Sequence, residues 1–126
     1  MEKNIMDGLE LYQKNKDLLK CFYINFVKYP TSERHCLVAD IKQSLLEYIK
    51  LVIRAQKKYY KKTTLQDADI ELQLLRNLNE LSFELKYIDE KRFKLTSIQL
   101  NECGKIIGGW IKKMAETEIA KIPNKR

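Results

Sequence analysis

Apolar residues recur along this chain at three- and four-residue intervals, and the polar residues between them are mostly charged. The spacing predicts helices rather than strands. A first helix is expected from about Ile5 to Lys28, with Leu11, Leu18, Leu19, Phe22, Phe26 and Val27 as its apolar positions. It should stop before Tyr29-Pro30, because the residue preceding proline disfavours helical backbone. Thr31 or Ser32 can cap a second helix, with Glu33 at the positive end of its dipole. That helix is expected to reach about Lys58. Its apolar face comprises Leu37, Val38, Ile41, Leu45, Tyr48, Ile49, Val52 and Ala55.

The pattern restarts in KKTTLQDADIELQLL, where Thr64 and Asp67 fit a capping box and Asp69 follows. The third helix should run to about Lys86. Ile70, Leu72, Leu74, Leu75, Leu78, Leu81 and Leu85 cover more than half its circumference. An arc that wide calls for two neighbours, or for one neighbour and a partner chain. A fourth helix is expected from a cap at Asp89 to about Met114, with residues 115–126 as a fraying basic tail limited by Pro123. Short connections favour antiparallel neighbours. The predicted fold is therefore all-α, an up-down-up-down four-helix bundle over residues 1–114.

Composition fits one such domain. The chain has 126 residues, 33% of them charged, with only four glycines and two prolines. No apolar run approaches a membrane span, and MEKNIMDGLELY lacks the apolar core of a secretory leader. Cys21, Cys36 and Cys103 show no metal or disulfide spacing, so reduced thiols and a cytoplasmic setting are expected.

The net charge is +7, and it is unevenly placed. Residues 1–29, 30–62, 63–86 and 87–126 carry +1, +5, −3 and +4. Lys50, Arg54, Lys57 and Lys61 form one stripe opposite the apolar face of the second helix. Lys58 and Lys62 thicken its end around Tyr59 and Tyr60, and Lys112 and Lys113 close the fourth helix. Cations of this kind contact phosphates, and tyrosine can stack on an unpaired base. RNA, or DNA, is the expected partner. The plainer reading is a solvated face with lysines favoured at a helix C-terminus.

No catalytic arrangement or cofactor site is visible. His35 and Cys36 are adjacent, so they point in different directions on a helix. Arg34 immediately precedes His35, which does not suit an acid–base pair for RNA cleavage. Asp67, Asp69 and Glu71 are spaced like neither a metal site nor a carboxylate dyad. No metal is expected.

In KIIGGWIKKM two glycines precede the only tryptophan. Gly104, Gly108 and Gly109 lie along roughly one side of the fourth helix, where a missing side chain permits close packing. Trp110 would fill a groove in its own bundle or on a neighbouring copy.

Together, YPTSERHCLVADIKQSLLEYIKLVIRA, DADIELQLLRNLNEL and IGGWIK resemble the four-helix bundle protein family, over about Leu9 to Lys113. That family includes the accessory variability determinant (Avd) of diversity-generating retroelements and proteins encoded in ribosomal-RNA intervening sequences. The resemblance implies a homo-oligomeric, pentameric barrel with a basic surface. It implies a non-enzymatic accessory role, with reverse transcriptase and template-repeat RNA as partners in mutagenic cDNA synthesis. The alternatives are an intervening-sequence-type bundle or a protein-interaction scaffold with no retroelement role.

Overall fold

The computed structural model describes residues 2–57 and 62–120. Four α-helices make up the described chain: α1 (Glu2–Phe26), α2 (Leu37–Lys57), α3 (Lys62–Glu84) and α4 (Glu90–Ala120). The expected all-α, four-helix architecture is present. α2 packs on α3, α3 on α4, and α4 on α1, while the α1–α2 seam is the least contacted.

The core lies between the helices. Leu11, Leu18 and Phe22 of α1 share one core with Ile41, Leu45, Tyr48 and Ala55 of α2. Leu65, Leu72 and Leu75 of α3 and Leu100, Cys103 and Ile107 of α4 complete it. Polar pairs set which positions face each other. Lys14 meets Glu102 at 2.6 Å, Asn25 meets Thr96 at 2.9 Å, and Ser44 meets Glu71 at 2.9 Å.

Helix ends differ from the sequence expectations in instructive ways. Thr31 and Ser32 do not cap α2. Thr31–Glu33 form a short 3-10 turn whose N-cap is Pro30, with no side-chain cap bond, and α2 begins only at Leu37. Glu33 is drawn away from the helix start because it accepts a 2.8 Å hydrogen bond from the Tyr87 hydroxyl. Thr64 and Asp67 do not form a capping box either. α3 begins at Lys62, which puts Thr64 inside the first turn and leaves that turn without an acidic residue.

Asp89 caps α4 as expected, its Oδ1 accepting the Arg92 backbone N–H at 2.8 Å. That helix continues past Met114 to Ala120, because AETEIA contains no breaker. α3 ends in a Schellman turn. The Tyr87 N–H bonds the Ser82 carbonyl and the Lys86 N–H bonds the Phe83 carbonyl, both at 2.9 Å. Lys86 sits there at φ 66°, a conformation that suits glycine.

The wide apolar arc of α3 divides in two. Leu65, Ala68, Leu72 and Leu75 are buried, whereas Ile70, Leu74, Leu81 and Leu85 are exposed. Val27, expected among the apolar positions of the first helix, is 85% exposed because α1 has already ended.

Candidate nucleic-acid interface

The positive face is built on α2. Leu45, Tyr48, Val52 and Ala55 turn inward, which leaves Lys50, Arg54 and Lys57 exposed on the opposite side. Their spacing of four and three residues keeps them in one row, about 10 Å long at 1.5 Å per residue. Among the described residues these three form no ion pair, and Glu47 is the acidic residue nearest in the row. Lys58 and Lys61 lie outside the described residues, as do Tyr59 and Tyr60. Lys62 begins α3 and is half-buried. A Cβ added at Gly8 of α1 would lie 3.5 Å from the Gln56 side-chain amide, so the basic end of α2 adjoins the start of α1.

On α4, Lys105 and Lys112 are exposed and Lys113 is half-buried. Gly108 and Gly109 lie between them, both exposed, and a Cβ added at either would meet nothing within 4 Å. Gly104 is different. The Arg76 guanidinium of α3 lies directly over it, in the space that a side chain would occupy. Arg76 Nη1 also donates to the Gln73 amide oxygen at 3.2 Å. The close approach at Gly104 is thus made by an arginine side chain from the same chain. Trp110 is 8% exposed and belongs to the core of its own chain, beside Ile107.

The buried reactive groups are engaged structurally. The Tyr48 hydroxyl donates to Asn15 Oδ1 at 2.6 Å, and Cys103 Sγ approaches the same oxygen at 3.5 Å. Burial pushes the Cys103 thiol up to about 11, so it stays protonated at neutral pH. Burial raises the Tyr48 phenol too. Arg92 donates from Nε to Asn25 Oδ1 at 2.7 Å and from Nη2 to the Cys21 carbonyl at 3.1 Å, so it is a structural cation. His35 and Cys36 are exposed in the turn before α2. Among the described residues, no group of three or more His, Cys, Asp or Glu side chains gathers in metal-binding reach. No described helix is long and apolar enough to cross a membrane.

The arrangement offers fixed positive charge on convex helical surface. Such a surface can hold a phosphate backbone by charge, without reading base edges. Sequence reasoning placed the cations of α2 but missed the polar core. Asn15, Asn25, Asn79 and Thr96 are buried. One hint was available, since Asn15, Asn25 and Asn79 each occupy a position where the helical period calls for an apolar residue.

A family model described as bAvd-like matches residues 9–114. Comparison with curated proteins returns no match.

Proposed function

The chain belongs to the bAvd-like family, and on that ground we propose that it is a non-catalytic accessory protein of a diversity-generating retroelement. In this reading it binds template-repeat RNA and the element's reverse transcriptase, and so supports mutagenic cDNA synthesis. The observation that carries the proposal is the family match over residues 9–114, which spans most of the four-helix architecture. The helices follow an up-down-up-down order, and copies assemble into a closed ring, a pentamer by family likeness. RNA lies along Lys50, Arg54 and Lys57, continued by Lys58, Lys61 and Lys62. Lys112 and Lys113 supply a second positive region. The bare backbone at Gly108 and Gly109 admits a close neighbour.

Fluorescence anisotropy with a labelled single-stranded RNA tests the basic row. Replacing Lys50, Arg54, Lys57 and Lys61 with glutamine should weaken binding. Each phosphate left without its cation lowers the slope of log affinity against log salt by roughly 0.7, so four of them lower it by about 3. Unchanged affinity and slope would show that RNA does not lie along this row. The accessory role has its own assay, in which the reverse transcriptase copies template RNA with and without the protein. Equal cDNA yield, with no co-purification of the two proteins, would overturn it.

A further inference from the structure

Two strips of apolar surface remain uncovered on the protomer, and they carry opposite charge. The first follows α3 through Ile70, Leu74, Leu78, Leu81 and Leu85. Their spacing of four, four, three and four puts them in one line. The line is about 22 Å long at 1.5 Å per residue. Ile70 is 64% exposed and Leu85 46%. Its borders are acidic. Asp40, Glu47 and Glu71 flank Leu74 and Leu78 in the groove between α2 and α3, and helical periodicity puts Glu80 and Glu84 along the other edge. Arg76 is turned away, over Gly104.

The second strip lies where α1 meets α2 across their thin seam. Tyr12, Leu19, Ile49 and Ile53 line an apolar groove of about 210 Å³. Leu9 and Tyr23 extend it along α1, for about 21 Å by helical rise. Its charge is basic. Lys16 lies over the Tyr12 ring at 5.2 Å, and Lys42 lies over the Tyr23 ring at 5.3 Å. Lys20 stands on the same flank. The acidic residues Glu10 and Asp17 fall on another side of α1, at about 100° per residue.

We propose that the acidic α3 strip of one copy docks on the basic α1–α2 strip of the next. This rests on the self-assembly in the proposed function and assigns the surfaces that perform it. The two strips are comparable in length, apolar along the middle and charged at the rim, which is the anatomy of a protein interface. Like-with-like pairing is disfavoured. Two α3 strips would bring Glu71, Glu80 and Glu84 against their own copies, and two α1–α2 strips would oppose lysines. The contact is therefore head-to-tail. Each copy has one strip of each kind, so the same contact repeats around a ring when the rotation closes.

Trans-complementation, read by light scattering and native mass spectrometry, tests this. Leu74→Asp with Leu81→Asp disables the first strip, and Tyr12→Asp with Ile53→Asp disables the second. All four positions are at least 40% exposed. Each variant alone should run as a monomer of 15.0 kDa. An equimolar mixture should form a 1:1 pair at twice the mass of one chain, because one intact strip of each kind remains. A variant that keeps the wild-type mass, or a mixture that stays monomeric, overturns the assignment. Charge reversal provides a second route without touching the apolar line. Glu80→Lys with Glu84→Lys should weaken assembly at least tenfold, as should Lys16→Glu with Lys20→Glu. Mixing the two should restore the contact in mixed complexes holding equal numbers of each variant, because the two kinds of copy pair only in alternation. Loss without restoration in the mixture counts against the assignment. A wild-type monomer at micromolar concentration overturns self-assembly as a whole. A wild-type oligomer that survives every variant overturns only these surfaces.

Discussion

Replacing Tyr48 with phenylalanine should cost stability at neutral pH and then lose its effect in alkali. Tyr48 has no solvent exposure, and its hydroxyl donates to Asn15 Oδ1 at 2.6 Å. Phenylalanine keeps the ring and, among the described residues, removes the only strong donor to that oxygen. Cys103 Sγ, at 3.5 Å, is a weak replacement. A buried acceptor stripped of its donor costs about 1–3 kcal/mol. The same hydroxyl sets the alkaline limb. Burial raises its pKa in the folded state above the ordinary value near 10. The folded state therefore holds the proton more tightly than the unfolded state. Stability from this group is fully present below pH 10 and falls above it, by about 1.4 kcal/mol per pH unit. Phenylalanine carries no such slope. The two proteins should thus differ by about 1–3 kcal/mol at pH 8 and converge between about pH 11 and pH 12, roughly one to two units above the unfolded value. Urea titration followed by the buried Trp110, the chain's only tryptophan, measures both limbs. A parallel, unconverging pair of pH profiles would refute the argument. So would a double change of Tyr48→Phe with Asn15→Leu that is no more stable than Tyr48→Phe alone.

Other expectations follow from single positions. Lys86→Gly relieves the φ of 66° at the end of α3 and should raise stability by about 1 kcal/mol, seen as a higher urea midpoint with unchanged m-value. Gly108→Ala and Gly109→Ala should each add about 0.5–1 kcal/mol to the protomer, because nothing lies within 4 Å of the new Cβ. In the assembled protein, a loss of thermal stability at either would reveal the close neighbour proposed there, whereas a gain would count against it. A thiol reagent should label one cysteine promptly on the folded protein, the exposed Cys36. Cys21 and Cys103 are buried, and should react only in denaturant.

The α2 helix was the most legible element, because its core face and the row of Lys50, Arg54 and Lys57 are opposite each other; buried Ser44 and exposed Leu46 and Ile53 are its departures from the period. Asp89 was legible because a side-chain cap is a local interaction, completed within three residues. The expected cap of α2 failed for a non-local reason. Glu33 has a partner 54 positions away in Tyr87, and no local pattern encodes that contact. Gly104 could be recognised as a close approach, but the sequence could not say that Arg76 makes it. The basic stripe could be drawn from spacing alone, since exposure opposite a core face follows from helical geometry.

The least legible feature is the way the chain divides its polar and apolar residues. Asn25, Asn79 and Thr96 are buried, while Ile70, Tyr23 and Ile98 are at least half exposed. A monomer that gained most by apolar burial would have the opposite arrangement. The buried polar groups form specific pairs, such as Asn25 with Thr96 and Asn79 with Ser97, that fix the register of α4 on α1 and α3. A leucine at those sites would bury well in several registers, whereas an amide is satisfied in few. Most of the exposed apolar residues are not scattered, as incidental surface hydrophobes are, but lie in line along α3 and along the α1–α2 seam; Ile24, Leu46, Leu95 and Ile98 stand apart. Line and register together imply that the bundle is held rigid by polar contacts so that its outer strips keep a fixed shape. A fixed strip can meet a complementary one at low entropic cost, whereas a surface that must first be ordered cannot. Under the proposed self-assembly, the uncovered hydrophobes and the buried amides are two parts of one design.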